Sequence, residues 1–227
     1  MSRGSGGASA KYLESTFYID SDAEAVIRFA EENLEGRDDR ERAVSLYYAV
    51  RDRIAYDPYR IAPDPATFRA SHTLRAGAGY CVAKAVALAA VCRAAGIPAR
   101  IGFADVRNHL STERLRRLMQ TDIFVWHGYT ELHLEGRWVK ATPAFNLSLC
   151  EKFGVKPLAF DGITDSIFHP LDARGRRHME YLAEHGAFAD LPLDRLFAAY
   201  RRHYPMMFDG AADGFSGDFA GEASRER

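Results

Sequence analysis

The sequence Gly77-Ala78-Gly79-Tyr80-Cys81 leads directly into the alanine-rich segment Val82 to Ala95. This arrangement predicts a helix that begins at the cysteine, and Gly96-Ile97-Pro98 predicts where it ends. The N–H groups of a first helical turn lack intrahelical partners and lie at the positive end of the helix dipole, which lowers the pKa of a thiol placed there. Cys81 is therefore a candidate nucleophile, although a buried cysteine that serves as a small hydrophobic residue is the commoner alternative.

A second pattern places a histidine in a predicted β-hairpin. The run Phe124 to Leu134 is followed by Glu135-Gly136 and then by Arg137 to Lys140, as in two strands joined by a short turn. A strand packed against the start of the cysteine helix would bring His127 to Cys81 and form the Cys–His pair of a thiol enzyme. Period-two alternation predicts one face with Phe124, Trp126, Thr130, Leu132 and Leu134, and the opposite face with His127, Tyr129, Glu131 and His133.

Together these features resemble the transglutaminase-like superfamily. The resemblance rests on Gly79-Tyr80-Cys81, on Arg93-Ala94-Ala95-Gly96-Ile97-Pro98-Ala99-Arg100 and on the His127 strand that leads to Trp138-Val139, and it covers roughly residues 40 to 145. It implies an α+β fold with a papain-like core, in which a cysteine at a helix N-terminus packs against an antiparallel sheet that carries the histidine. By resemblance, Cys81 matches the family nucleophile and His127 its general base.

The third catalytic position departs from the family pattern. The family usually has an aspartate in the strand after the tryptophan, but here that position is Thr142, within Ala141-Thr142-Pro143-Ala144. A base that acts through one ring nitrogen normally needs an acceptor at the other nitrogen. Three residues are candidates for that acceptor: Thr142, favoured by its register, Asn146, which would copy the neutral amide of papain-like enzymes, and Asp161, which has the right charge.

The predicted reaction is acyl transfer through a covalent intermediate. A Cys81 thiolate beside a protonated His127 attacks an amide or ester and forms a thioester acyl-enzyme. The simplest completion is hydrolysis, in which water releases the acyl group, as in an amidase or peptidase. An amide-forming acyltransferase and an inactive transglutaminase-like binding module remain open as alternatives. A peptide and a small-molecule substrate fit equally well, and nothing in the sequence indicates the oligomeric state.

Composition narrows the classes of partner. The chain has 227 residues, with 30 Lys and Arg against 31 Asp and Glu, so its charge does not favour nucleic acid or an anionic membrane. No apolar run approaches the ~20 residues that span a bilayer, and Met1 to Ala10 lacks the apolar core of a signal peptide. Three widely spaced cysteines argue against a disulfide framework. We therefore expect a cytoplasmic protein with reduced thiols.

Neither a cofactor nor a metal is expected. The strand residues His127, Glu131 and His133 could ligate a metal together with Cys81, but their spacing matches no zinc signature and the chain has no Cys-x-x-Cys. No phosphate-binding glycine motif is present.

The remaining patterns predict one α+β domain over residues 11–208, a flexible segment over 1–10 and a disordered tail over 209–227. Helices are expected near Asp39 to Ile54 and Leu191 to Tyr204, with strands at Arg100 to Val106 and Val155 to Phe160. The segment Asp161 to His185 has no assignable period and is either loop or an appendage that shapes the substrate site.

Overall fold

A four-stranded antiparallel sheet packs against one buried helix, and other helices cover that helix in turn. The computed structural model describes residues 10–62, 64–109, 111–167, 175, 178–205 and 217–225. The helices are α1 (Glu24–Asn33), α2 (Asp39–Arg53), α3 (Ala70–Ala76), α4 (Cys81–Ala94), α5 (Glu113–Met119), α6 (Leu147–Phe153), α7 (Leu193–His203) and α8 (Phe219–Arg225), with a short 3₁₀ helix at Pro65–Phe68. The strands are β1 (Ala55–Tyr56), β2 (Ala78–Gly79), β3 (Ala99–Asn108), β4 (Ile123–Leu134), β5 (Arg137–Ala141) and β6 (Met179–Phe188).

The sheet has the order β5-β4-β3-β6, and every neighbouring pair is antiparallel. Strands β4 and β5 form the predicted hairpin, with Leu134 paired to Arg137 across the turn. Strand β6 comes from the segment to which the sequence assigned no period, whereas the strand expected at Val155 to Phe160 is wrong because those residues form no regular element. An edge strand with mixed polar residues lacks the alternation that marks a half-buried strand.

Helix α4 lies at the centre of the molecule, and each of its residues from Cys81 to Arg93 is buried. It contacts α1, α2 and α3 as well as β3 and β4. A helix covered on all sides must be apolar all round, and small residues allow its neighbours to approach closely. The Thr130 hydroxyl of β4 donates a hydrogen bond of 2.8 Å to the Ala85 carbonyl and so joins the sheet to this helix. The predicted α+β architecture is confirmed.

A two-residue parallel pairing places the start of α4. Ala55 pairs with Ala78 and Tyr56 with Gly79. Helix α3 ends at Gly77, which has a φ of 63° that glycine adopts readily. The chain then passes through β2 and an extended Tyr80 before α4 begins at Cys81, the residue that the sequence predicted.

The C-terminal segment differs from the prediction. The expected disordered tail includes α8, in which Phe219 and Ala223 are buried, so the prediction is wrong for residues 217–225. Phe219 packs against Tyr56, Tyr59 and Phe153 with ring centroids 5.6–6.2 Å apart. The other tail residues, 209–216 and 226–227, and residues 1–9 of the expected flexible segment lie outside the described residues. The single domain over 11–208 stays a prediction.

Glu222 fixes α8 to two other segments. Its Oε2 atom accepts hydrogen bonds from the Tyr59 hydroxyl at 2.6 Å and from the Thr112 hydroxyl at 2.9 Å. Thr112 in turn caps α5, because its Oγ1 accepts a hydrogen bond from the Leu115 N–H. A buried carboxylate with these partners is expected to hold the C-terminal helix in place.

We therefore expect Phe219→Ala to lower the melting temperature. Truncating a buried phenylalanine costs about 3–5 kcal/mol in a core, which for a chain of this size corresponds to roughly 6–20 °C. The control Ser224→Ala changes an exposed residue of the same helix and should leave the melting temperature unchanged. Equal melting temperatures of the two variants in thermal denaturation would show that α8 does not pack on the rest of the protein.

None of the helices among the described residues is long and apolar enough to cross a membrane.

Candidate active site

Cys81 and His127 line the same cavity, where the start of α4 lies beside β4. His127 lies opposite Ala104 of β3. The pairing of β4 with β5 ends at Thr130 and Ala141, and the first turn of α4 packs against β4 beyond that point. A Cβ atom on Gly128 would lie 2.8 Å from the Val82 Cα atom, so only glycine allows this close approach of strand and helix. Both candidate side chains are almost fully enclosed, with 6% of Cys81 and 5% of His127 exposed.

Together they line a small, mainly apolar cavity. The cavity is small, at about 30 Å³ measured as the space open to the centre of a water molecule. The other lining residues are Tyr56, Pro58, Ile61, Tyr80, Leu115, Met119, Phe124, Val125, Tyr200 and Tyr204.

Burial dominates the electrostatics of the thiol. It raises the pKa of Cys81 to about 11, although hydrogen bonds from the Gly128 and Val82 N–H groups favour the thiolate. The expected lowering of the pKa by the helix N-terminus is therefore wrong for this resting structure. The loss of hydration outweighs the backbone dipoles when the sulfur is enclosed by aromatic and aliphatic side chains.

The histidine is shifted in the opposite direction by the same cause. Burial lowers the pKa of His127 to about 4, because the imidazolium loses its hydration. At neutral pH the resting site therefore holds a thiol and a neutral imidazole. The expected thiolate–imidazolium pair is wrong for this state of the protein.

The strand pattern around His127 also departs from simple alternation. Phe124, Val125 and His127 all line the cavity, which a regular period of two does not permit. The register of β4 against β3 shifts between His127 and Phe124, and Trp126 adopts a φ of 55°. A β-bulge at this point redirects the side chains that precede His127.

The three candidates for the third position make other contacts. Thr142 is buried, and among the described residues its hydroxyl has no hydrogen-bond partner. The backbone carbonyl of Thr142 accepts a hydrogen bond from Tyr47 of α2 at 3.1 Å. The structure therefore does not form the predicted hydrogen bond from the His127 ring N–H to the Thr142 hydroxyl, since correct register does not ensure that a short side chain reaches its target.

Asn146 and Asp161 are engaged elsewhere. The Asn146 Oδ1 atom accepts from the Tyr56 N–H at 3.0 Å, and its Nδ2 atom donates to Ser148. Asp161 accepts bonds from the N–H groups of Ile163 and Thr164 at 2.8 and 2.7 Å, which hold its pKa below the usual value. It lies beside Arg40 in a surface cleft away from the cysteine cavity.

The residues considered as metal ligands have separate roles. Glu131 forms a 2.6 Å ion pair with Arg100, and His133 packs edge-on against Trp138. No group of three or more His, Cys, Asp or Glu residues that could hold a metal occurs in the part of the chain that the structure describes. Cys92 and Cys150 are buried free thiols, and burial raises the pKa of both.

Sequence reasoning missed three polar residues near the site. Lys84 lies one turn after Cys81 and is fully buried, whereas Asp105 and Tyr204 bind the backbone of the bulge that precedes His127. Lys84 and Arg93 are the two charged residues of α4, and a charge in so apolar a helix was a readable signal for Lys84. The sequence contains no comparable signal for Asp105 or Tyr204, whose role depends on a bulge in another strand.

The fold and the site define a papain-like α+β protein with a cysteine and a histidine on one cavity. The chain matches the family model of the transglutaminase-like superfamily over residues 27–143, more than half of its length, and belongs to that superfamily. It is also similar to a crystal structure from Cytophaga hutchinsonii described as a candidate cysteine protease, with 16% identity and a TM-score of 0.46. That similarity covers 80% of this chain and 54% of the other, so this chain spans about half of that protein. No curated protein matches.

The enclosed thiol predicts a specific alkylation profile. Because burial raises the pKa of Cys81 to about 11, its reaction with iodoacetamide should be slow at pH 6–8 and rise steeply towards pH 10. An unfolded control should react with the pKa of about 8.5 of a free thiol. Peptide mapping by mass spectrometry separates Cys81 from Cys92 and Cys150. A rate that is already at its plateau below pH 7 would contradict the neutral resting pair.

Proposed function

We propose that the protein is a cysteine-dependent enzyme that cleaves an amide or ester through a thioester acyl-enzyme. The observation that carries the proposal is the position of Cys81 at the first residue of α4, on the same enclosed cavity as His127 of β4. Family membership supports the same pair of residues. The substrate is a peptide or a small-molecule amide or ester.

The neutral pair favours a concerted first step. The Cys81 sulfur attacks the carbonyl carbon while its proton passes to His127, whose neutral ring can accept it. His127 then gives this proton to the leaving nitrogen or oxygen as the bond to carbon breaks, and the acyl group remains on the sulfur. A water molecule next loses a proton to His127 and attacks the thioester, and the departing thiolate takes that proton back.

The start of α4 supplies the electrostatic part of the reaction. The backbone N–H groups of the first turn have no acceptor within the helix and lie at the positive end of the helix dipole, where an oxyanion on the attacked carbonyl would be stabilised. The Cys81 N–H is the first candidate donor.

Acyl transfer to an amine is the second candidate. The cavity is small and is lined mainly by aliphatic and aromatic side chains. A site that excludes water protects a thioester from hydrolysis. An amine that enters such a site would then compete successfully with water.

A binding module without catalysis is the third candidate. Thr142 replaces the family aspartate, and burial lowers the pKa of His127 to about 4, which makes it a weak base. Retention of both Cys81 and His127 favours catalysis.

The test is incubation with amide, ester and peptide panels in H₂¹⁸O, with and without added amines. Hydrolysis places one ¹⁸O atom in the released acid, acyl transfer gives the amide of the added amine, and both give an acylated Cys81 in intact-protein mass spectra. Substrate binding without product or acyl-enzyme would instead support the inactive module. The wild-type protein should be compared with Cys81→Ala in every assay.

A further inference from the structure

The β-bulge that precedes His127 has two backbone N–H groups outside the regular ladder. Between the pairs Ala104–His127 and Val106–Phe124, β3 contributes one residue, Asp105, whereas β4 contributes two, Val125 and Trp126. Bulged residues lose ladder hydrogen bonds and need other partners when they are buried.

Side chains from two different elements satisfy these groups. The Val125 N–H donates to the Tyr204 hydroxyl at 2.6 Å, and that hydroxyl donates to the Ile123 carbonyl at 2.9 Å. The Trp126 N–H donates to Asp105 Oδ1 at 2.9 Å. Tyr204 directly follows α7 and Asp105 belongs to β3, so the bulge is tied to elements on both of its sides.

A third contact holds the ring of Trp126. His185 of β6 bonds through Nε2 to the same Asp105 oxygen at 2.7 Å, and its ring stacks on Trp126 with centroids 4.8 Å apart and an interplanar angle of 11°. Strand β6 is also irregular beside His185, because its register against β3 shifts between Phe103 and Ala104 and again between Asp105 and Val106. Trp126 is thus held at a φ of 55°, which a bulky residue adopts rarely.

We propose that Asp105 and Tyr204 are positioning residues that fix the direction of His127 by holding this bulge. The proposal rests on the proposed role of His127 as the catalytic base. A shift of one residue in a strand turns its side chains to the opposite face. Without the Asp105 and Tyr204 acceptors, the N–H groups of Val125 and Trp126 lose their hydrogen bonds, and the bulge is no longer stabilised at this position. The adjacent imidazole of His127 then loses its fixed position relative to Cys81.

The experiment compares Asp105→Ala, Asp105→Asn and Tyr204→Phe with the control Asp122→Asn, which alters a half-exposed carboxylate paired with Arg107 of β3. Asp105→Asn keeps an oxygen that can accept from Trp126. Misplacing a catalytic group by about 1 Å costs on the order of 100-fold in rate. We expect such a loss of kcat in Asp105→Ala and Tyr204→Phe with KM nearly unchanged, and substantial recovery in Asp105→Asn.

A second readout is independent of turnover. The ring ¹³C–¹H signal of His127, assigned with a His127→Gln variant, should shift in Asp105→Ala and Tyr204→Phe and stay in place in Asp122→Asn. Unchanged His127 signals together with a change of less than threefold in kcat would overturn the proposal. If Asp105→Ala fails to fold, Tyr204→Phe and Asp105→Asn decide it by the same two measurements. If the wild-type protein turns over no substrate, the proposed function fails while the ring signals still test the positioning.

Discussion

Replacing Cys81 with alanine is expected to reduce turnover of any accepted substrate by at least about 1,000-fold, as the loss of a covalent nucleophile does in other enzymes. The acyl-enzyme should disappear from intact-protein mass spectra at the same time. The fold should persist, because alanine at the first residue of α4 removes one sulfur atom from a cavity that already holds some free space. Circular dichroism and thermal denaturation test whether Cys81→Ala keeps the wild-type fold and stability.

Cys92→Ala is the matched control for this prediction. Cys92 is fully buried in the same helix, three turns further on, and does not line the cavity. We expect its kcat to stay within about threefold of wild type, with some loss of stability from the missing buried sulfur. Equal losses of turnover in Cys81→Ala and Cys92→Ala would mean that the nucleophile has been assigned to the wrong cysteine.

The second large effect concerns Lys84 and protein stability. Its side chain is fully enclosed, and its Nζ donates hydrogen bonds to the carbonyls of Arg51 and Ile54, at 2.8 and 2.5 Å, where α2 ends. The last carbonyls of a helix have no intrahelical donor. We expect Lys84→Met to lower the free energy of unfolding at pH 8 by about 2–4 kcal/mol, because two buried acceptors lose their donor.

The stabilisation should also depend on pH with a defined sign. Burial lowers the pKa of Lys84 to about 7 in the folded protein, against about 10.4 when unfolded. Between these two pKa values, Lys84 is protonated in the unfolded chain and neutral in the folded protein, so the unfolded state binds one more proton. Lys84 therefore makes the free energy of unfolding rise with pH, by at most about 1.4 kcal/mol per pH unit. Below pH 7 both states are protonated and this slope disappears.

Urea denaturation of the wild-type protein and Lys84→Met at pH 6, 7.5 and 9 tests both statements. The difference in unfolding free energy between them should grow from pH 7.5 to pH 9. The exposed Lys156→Met serves as the control and should differ little from wild type at each pH. If the difference in unfolding free energy between the wild-type protein and Lys84→Met is constant from pH 6 to 9, then burial does not shift the pKa of the Lys84 amine.

Much of the fold was predictable because it depends on local patterns. The glycines before Cys81, the alanine run and Gly96-Ile97-Pro98 predicted the start and end of α4, and the alternating run with Glu135-Gly136 predicted the β4–β5 hairpin. Turn chemistry, capping and periodicity can be identified within one local stretch of sequence, although tertiary packing supplies most of the stability of these elements. The family resemblance then added the pairing of Cys81 with His127, which local patterns alone only suggested.

Other features were inaccessible because they arise between distant segments. Helix α8 forms where the composition indicated disorder, because Phe219 finds an aromatic pocket and Glu222 finds Tyr59 and Thr112. Strand β6 forms because it pairs with the edge of β3 that β4 does not occupy. Neither partner is adjacent in sequence to the segment that it stabilises.

Local patterns and the family resemblance indicated Cys81 at a helix start and His127 on a strand as the candidate catalytic pair. Tertiary structure decided their protonation states and how the histidine is held. Burial raises the pKa of the thiol and lowers the pKa of the imidazole because surrounding elements exclude water from both. The backbone of the bulge beside His127 is bound by Asp105 from β3 and by Tyr204 at the end of α7. Solvation and hydrogen bonding are properties of the assembled neighbourhood, and no single stretch of sequence contains that neighbourhood.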